Sequence, residues 1–480
     1  MIYSKIFYLL LVMGRQSPGY SVTVRLEIPN VVGNFARIAQ VIASADGDIR
    51  DIQIVKVEKD KVIRDITINT KGEEHEKEIV RRLKKLGDIK VLRVVDRTFQ
   101  IHEGGKISIQ NKVSIINYED LARVYTPGVA RICKHLKEHP EDAYRYTIKG
   151  HTVAVITDGS AVLGLGNLGP IPSLPVMEGK CMLFKELANI DAFPLAIGTQ
   201  IIETFVETVK YISPVFGGIN LEDISAPRCF EIEKRLRQEL DIPVVHDDQH
   251  GTAIVVLAGL INVERILKKR LKDLKIVISG AGASGIATAK LLLRHGAENI
   301  ILCDTYGTIY RGRTENMNPY KSEIAELTNP ENIKGSLSSA IKGADIFIGL
   351  SGPNILSLDD LLSMNKDRVV FALANPDPEI DPTLAMPHVR ILATGRSDYP
   401  NQINNALAFP GLFKGLLEAK AKKIDEDIFL ESAKALAHVI KDEELNEEYI
   451  IPSVFDRRVV SAISKAIIEY IRKKPDLRKL

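Results

Sequence analysis

The sequence predicts an α/β protein in three parts: a split βαββαβ unit in front, an α/β segment in the middle and a doubly wound parallel sheet behind. Three observations carry this. Alternating apolar runs and amphipathic stretches follow one another in the order βαββαβ between Tyr20 and Phe99. Farther on, the strand-like run KIVIS opens into Gly280, Gly282 and Gly285 as GxGxxG and then into a helical pattern. Between the two lie acidic pairs, Glu222 with Asp223 and Asp247 with Asp248, each directly after an apolar run. The length of 480 residues, at about 150 per domain, leaves room for three cores.

Taken in order, SVTVRLEI reads as the first strand and PNVVGNFARIAQVIASADGD as a glycine turn and helix. IRDIQIVKVEKD and KVIRDITINT alternate as two more strands, a second amphipathic helix spans His75 to Leu86, and IKVLRVVD is the last strand. This ferredoxin-like unit is assigned to residues 19–99, and residues 1–18 to a leader or a misplaced start. HEGGKISIQNK is the linker into an α/β segment assigned to residues 100–255. The nucleotide domain is assigned to 256–480, with amphipathic helices after Pro410 covering the sheet or building a subunit interface.

Composition narrows the functions. With 64 Lys+Arg against 62 Asp+Glu, a formal charge of +2, there is no basic excess to meet nucleic acid. Cys133, Cys181, Cys229 and Cys303 lie far apart without a CxxC pair, which excludes a disulfide framework or zinc ribbon and points to the cytoplasm. At the amino terminus, Lys5 precedes an apolar run from Ile6 to Met13, too short to span a bilayer and followed by no small-x-small cleavage site. No membrane is therefore expected as a partner, and Met13 is read as the true start.

The glycine turn has the context a dinucleotide site needs. Gly280 permits the tight turn, Gly282 lets backbone approach a pyrophosphate, Gly285 lets helix and strand pack closely, and Ser284 lies within the turn. A second strand, NIILCD, ends in Asp304 nineteen residues beyond Gly285, where a carboxylate accepts from ribose hydroxyls and repels a 2′-phosphate. NAD is therefore favoured, while Arg311 and Arg313 keep NADP within reach. DIFIGLSGP and VVFALANPDPE read as later strands of the same sheet, placing Ser351, Gly352 and Asn375 at the crevice, although Asn375 could equally cap the turn before Pro376.

The acidic pairs need a turn to act together, because neighbours within a strand point to opposite faces. If each strand has ended, oxygen-only ligands suit Mg²⁺ or Mn²⁺ rather than zinc; helix caps or solvated carboxylates are the alternative. His246 and His250 are assigned to capping or packing. Lys180 has no following Ser or Thr, so DGSAVLGLGNLGPIPSLPVMEGK is not a P-loop. It reads as the start of an apolar helix, where burial near a cation would lower its pKa and make it a base, or else as a surface lysine. Tyr125, in YTPGVA, reads equally as a buried aromatic before a proline turn.

Together, YTPGVA, SAVLGLGNLGPIPSLPVMEGK, NLEDI, HDDQHGTA, GAGASG, ALANPDPE and YPNQINNALAFPG resemble malic enzymes of the shorter prokaryotic type, in order over roughly residues 100–420. The front unit, with Gly33 between first strand and first helix, resembles an ACT domain, with Asn30 where that family often has Asp. The resemblance implies oxidative decarboxylation of (S)-malate to pyruvate and CO₂ with reduction of NAD(P)⁺. It implies Tyr125 as acid, Lys180 as base, Glu222, Asp223 and Asp248 as metal ligands with Asp247 in support, and Asn375 and Asn405, with Asn404 beside it, on malate. It also implies a small-molecule effector at the ACT-like unit. Apolar helices around Tyr125 and at the carboxyl end predict a homodimer or higher oligomer. One departure stands out: the arginine that long eukaryotic members carry just before LGLG is Ala161 here. The rival readings are a malolactic enzyme, which releases lactate and retains NAD, a non-catalytic metabolite sensor, and an amino-acid dehydrogenase, which would not need the acidic cluster.

Overall fold

The computed structural model describes residues 17–478; the expected start at Met13 lies outside them. The chain forms two compact units that divide between Ser108 and Ile109. In the first, β1 (Ser17–Pro29), α1 (Asn34–Ser44), β2 (Asp48–Val57), β3 (Lys61–Thr70), α2 (Glu73–Lys84) and β4 (Lys90–Asp96) build one antiparallel sheet in the order β2-β3-β1-β4, closed by α3 (Arg97–His102). Alternation in β1 puts Val22, Val24 and Leu26 on one face, where Ile38 and Ile42 of α1 and Ile79 and Leu83 of α2 cover them. Gly33 turns the chain from strand to helix at a φ of 93°, a conformation that favours glycine.

The second unit begins with α4 (Tyr118–Val124), α5 (Val129–Glu138) and α6 (Ala143–Tyr146). An α/β layer follows: β5 (Thr152–Thr157), α7 (Pro170–Ala188), β6 (Asp191–Ala196), α8 (Ile202–Ile212), β7 (Gly218–Leu221), α9 (Arg228–Glu239) and β8 (Val244–His246). Its four strands are parallel in the order β6-β5-β7-β8, and β5, β7 and β8 are buried throughout, as parallel strands covered on both faces are. β8 runs straight into α10 (Asp247–Leu267), whose apolar length would suit a membrane but is packed into the core.

The second sheet holds β9 (Lys275–Ser279), β10 (Asn299–Asp304), β11 (Gly307–Thr308), β12 (Ile346–Gly349), β13 (Val369–Ala372) and β14 (Ile391–Thr394) in the order β11-β10-β9-β12-β13-β14. All pairs are parallel except the two-residue β11, which folds back on β10. The order reverses beside β9, the switch point at which doubly wound sheets take ligands. Helices α11 (Ala283–His295), α12 (Pro319–Leu327), α13 (Leu337–Ile341), α14 (Leu358–Leu362) and α15 (Pro382–Ala385) link these strands. Then α16 (Phe409–Glu418), α17 (Asp427–Ala437) and α18 (Arg458–Arg472) add their apolar faces to the core that α10 shares. The amphipathic helices expected after Pro410 are thus present.

Candidate functional site

Sheet geometry assembles the acidic residues. β7 ends at Leu221, and Asp223 then takes a left-handed turn at a φ of 53°, freeing the pair Glu222 and Asp223 from the alternation of a strand. β8 ends at His246, so Asp247 and Asp248 occupy the first turn of α10, at the positive end of a 21-residue helix. Carboxylate oxygens of Glu222, Asp223 and Asp248 lie within 4.8 Å of one another. The Asp223 amide donates to Asp248 Oδ2 at 2.9 Å, and Asp223 Oδ2 is buried with no hydrogen-bond partner.

Such crowding is unfavourable for bare carboxylates. Burial, then the charges of Asp248 and Glu222, push Asp223 up to about 8. Burial, only partly offset by Lys180, pushes Glu222 up to about 7, and burial with the neighbouring Asp247 pushes Asp248 up to about 6. Three hard oxygen donors, mutually repelling, with one buried oxygen unpartnered, fit a divalent cation of the Mg²⁺ or Mn²⁺ kind.

Lys180 does not begin its helix; it is the eleventh residue of α7, which starts at Pro170, a favourable first position for proline. Its Nζ lies 2.9 Å from Glu222 Oε1 and 2.6 Å from Asp247 Oδ2, and 4.3 Å from the centre of the Phe409 ring. Burial alone would lower its pKa, but Asp247 and Glu222 outweigh burial and hold it well above the usual lysine value. The expectation of a lowered pKa is corrected for the protein without a cation. Asp247 Oδ2 also accepts from Asn405 Nδ2 at 2.5 Å, so Asp247 joins the lysine and the asparagine while Asp248 joins the carboxylate cluster. Gly251, one turn along α10, leaves the space Asp247 occupies, since a Cβ there would fall on Asp247 Oδ1.

The nucleotide turn adjoins this cluster. Ser284 Oγ donates to the carbonyl of Asp248 at 2.8 Å, tying the start of α11 to an acidic residue of the cluster. Gly280 sits at a φ of 117°, a Cβ on Gly285 would strike the Gly280 carbonyl, and a Cβ on Gly282 would meet nothing within 4 Å. Gly282 therefore leaves open the backbone approach a pyrophosphate requires. Ser351 follows β12, its Oγ 3.1 Å from Ser279 Oγ at the end of β9, with Gly352 next in the same loop. Asp304 ends β10 as its spacing predicts, but its two oxygens already accept from Tyr306 N, Arg313, Asn316 and Lys321.

The remaining asparagines differ in setting. Asn404 caps the turn that carries Asn405, accepting from Ala406 N at 2.9 Å. Asn375 is exposed ahead of Pro376 and packs against Gly395. Tyr125 is not a buried aromatic: it ends α4 at 67 % exposure, and its side chain has no hydrogen bond to the Lys180 cluster among the described residues.

Three groups escaped the sequence reading. Glu379, fully buried, accepts from Ser351 N at 3.1 Å and Ala374 N at 3.0 Å and so fixes the loops after β12 and β13. Arg228 Nη2 donates to Asp158 Oδ2 at 2.7 Å and to Ser160 Oγ at 2.8 Å, and its Nη1 donates to the Gln200 carbonyl at 2.7 Å. Glu233 pairs with His250 at 2.9 Å while Phe429 stacks on that ring at 4.0 Å, a packing role that agrees with the expectation for His250. The PDPE run after Asn375 was the available signal for Glu379; nothing local marked Arg228.

Comparison with known proteins gives the same assignment. The profile of "Malic enzyme, N-terminal domain" matches residues 104–237, that of "Malic enzyme, NAD binding domain" matches 249–386 and 383–472, and that of "ACT domain" matches 16–93. A "NAD-dependent malic enzyme" of Geobacillus stearothermophilus is 54 % identical over 94 % of this chain and 94 % of its own. A "Bifunctional malic/malolactic enzyme" of Bacillus subtilis is 50 % identical over 76 % of this chain and 89 % of its own. The crystal structure of a NAD-dependent malic enzyme from Thermotoga maritima superposes with a TM-score of 0.75 at 46 % identity, covering 78 % of this chain and 99 % of that one. On its two malic enzyme domains, its parallel sheets and these relatives, the chain belongs to the malic enzyme family, with an ACT domain at its amino terminus.

Proposed function

We propose that this chain oxidatively decarboxylates (S)-malate to pyruvate and CO₂, reducing NAD⁺ in preference to NADP⁺, with Mg²⁺ or Mn²⁺ required. The observation that carries this reading is Lys180, lodged between Asp247 and the Glu222 that it shares with the cluster of Asp223 and Asp248. Lys180 takes the proton of the malate C2 hydroxyl. Drawing the charge of Glu222 away removes one of the two anions that keep Lys180 protonated, so cluster and base are coupled through one carboxylate. Asn405 and Asn375 position the substrate, and Tyr125 returns a proton to C3. When bound, the cation supplies Lewis-acid polarisation of the C2 oxygen and the nicotinamide supplies a hydride acceptor.

The test is a stoichiometric assay with malate, Mn²⁺ and NAD⁺. NADH and pyruvate should appear together and both should cease with a chelator. A malolactic reaction is the second reading, favoured by the bifunctional Bacillus subtilis relative; lactate without net NADH would establish it instead.

Ala161 leaves the far malate carboxylate without the arginine of the long enzymes, and Arg228 is the cation proposed in its place. The Ala161 amide donates to the Asp223 carbonyl at 3.0 Å, and the neighbouring Ser160 Oγ accepts from Arg228. Arg228→Met is expected to raise KM for malate by about 10–100-fold while leaving KM for NAD⁺ unchanged. Equal changes in both constants would reduce Arg228 to a loop brace.

A homodimer is proposed from α4–α6. From 109 to 148 no residue is buried, yet Ile116 and Tyr118 are 83 % and 90 % exposed, with Ile109, Val113 and Ile132 also outward. Apolar surface of this extent on a soluble chain marks an interface, and a second copy is the proposed cover. Tyr118→Asp should shift the species seen by light scattering toward monomer and lower specific activity with it, because Tyr125 is carried on the same segment; a dimer that persists in Tyr118→Asp would remove this face from the interface. Cytoplasmic residence agrees with four free cysteines, and an effector of the ACT unit is proposed to be a small metabolite.

A further inference from the structure

Parallel strands deliver their loops to one edge of a sheet, and β12 and β13 are paired neighbours in it. The loop after β12 carries Ser351 and Gly352 beside the end of β9; the loop after β13 carries Asn375, the residue proposed to position malate. In the proposed reaction cofactor and substrate meet across these adjacent loops, and Glu379 is bonded to both. Its Oε1 accepts from Ser351 N at 3.1 Å, and its Oε2 accepts at 3.0 Å from the amide of Ala374, the residue before Asn375. Gly349, the last residue of β12, makes the room: a Cβ there would fall on the Glu379 carboxyl.

A carboxylate suits this position where an amide does not. Two N–H groups face it, and a carboxylate offers each an acceptor oxygen, whereas glutamine would turn its own NH₂ toward one of them. The group is fully buried, and no cation pairs with it among the described residues. Burial raises its pKa, and backbone amides, first those of Ala374 and Ser351, oppose the rise. A buried carboxyl without a counter-ion is costly, so packing alone would favour an apolar side chain here. Farther along, the same loops are joined by Asn354 N to the Pro378 carbonyl at 3.1 Å and by Leu356 N to the Glu379 carbonyl at 2.9 Å. Those main-chain bonds do not depend on the side chain at this position, so the carboxylate governs the loop ends that carry Ser351 and Asn375.

We infer that Glu379 is a positioning residue for hydride transfer: acting through Ser351 and Ala374, it holds the cofactor loop and the malate loop in register. The inference rests on the proposed malate oxidation and separates its two halves. Moving a hydride from malate C2 to the nicotinamide, with the hydroxyl proton taken by Lys180, gives oxaloacetate and needs both loops in register. Loss of CO₂ from oxaloacetate breaks the C3–C4 bond and leaves its electron pair in the enolate of pyruvate; that half needs the acidic cluster but no nicotinamide. A shift of about 1 Å between the loops therefore slows the first half and spares the second.

The test compares the full chain with its Glu379→Gln variant. For malate oxidation kcat should fall by about 30- to 100-fold, with the primary isotope effect on malate deuterated at C2 expressed more fully. Decarboxylation of added oxaloacetate, with Mn²⁺ and no nucleotide, should change by less than about threefold. In the protein without nucleotide or metal, amide hydrogen exchange at Ser351 and Ala374 should quicken by about tenfold or more, while Asn354 and Leu356 stay as protected as before. Equal loss of oxidation and decarboxylation in a folded variant would reduce Glu379 to a brace and overturn the inference, as would malate oxidation within about threefold of the unaltered chain. Unchanged exchange at Ser351 and Ala374 would overturn the hydrogen bonds on which it stands. Should Glu379→Gln fail to fold, Glu379→Asp, one methylene shorter, must show the same split between the two halves. An unaltered chain that forms no NADH from malate would refute the reading beneath the inference, and the inference with it.

Discussion

Replacing Lys180 with methionine is expected to lower kcat for malate oxidation by about 1,000-fold, the middle of the range of about 100- to 10,000-fold for a positioned acid or base. Stability should fall too, because the change leaves Glu222 and Asp247 buried without their shared cation, and removing one partner of a buried pair costs about 3–5 kcal/mol. Lys180→Arg separates the two effects: it keeps a charge between the carboxylates but cannot serve as a base near neutral pH, so it should restore much of the Tm and little of the activity. Tyr125→Phe should also stop turnover, at a different step. Exchange of solvent deuterium into C3 of pyruvate should persist in the Lys180 variants and be lost in Tyr125→Phe. Equal loss of oxidation and exchange in both would undo the division of roles.

The second large effect concerns the acidic cluster, where activity and stability should move in opposite directions. Asp223→Asn should abolish divalent-metal binding and turnover, yet raise the Tm of the metal-free protein by about 1–2 °C per kcal/mol gained. The reason is that burial beside Asp248 and Glu222 pushes Asp223 up to about 8. A carboxyl whose folded pKa is raised holds its proton more tightly in the folded state, so that stability is complete at low pH and is lost as pH climbs through the folded value. With Glu222 at about 7 and Asp248 at about 6, the metal-free protein should lose stability between about pH 4 and pH 8 from these groups. A divalent cation relieves this repulsion, and its stabilising effect should be larger at pH 8 than at pH 6. Thermal denaturation with Mn²⁺ and with chelator at the two pH values measures it; an equal gain at both would mean that the carboxylates are already ionised and unstrained.

Much of this was legible because the relevant constraints are local. Alternation fixed which face of β1 is apolar, and the requirement that a strand end before two adjacent carboxylates can act together is met by the left-handed turn at Asp223. The glycine spacing, with Asp304 nineteen residues on, located the second sheet and its switch point. What escaped depends on partners distant in sequence. The amides that Glu379 accepts from belong to Ser351 and Ala374, the protonation of Lys180 is set by Glu222 and Asp247, and the charge of Asp304 is cancelled by Arg313 and Lys321. Periodicity and propensity do not report such pairings. Tyr125 illustrates a further limit: its setting in sequence reads equally as a buried aromatic, whereas it is 67 % exposed in this chain.

The proposed malate oxidation requires a divalent cation held by Glu222, Asp223 and Asp248. That requirement is tested most directly by titrating Mn²⁺ into chelator-stripped protein while bound Mn²⁺ is followed by electron paramagnetic resonance and NADH and pyruvate are assayed in the same samples. The expected result is saturation at one ion per chain, NADH and pyruvate in equal amounts rising in proportion to occupancy, and loss of both binding and turnover in Asp248→Asn. Full turnover before Mn²⁺ is added, or undiminished binding in Asp248→Asn, would contradict it.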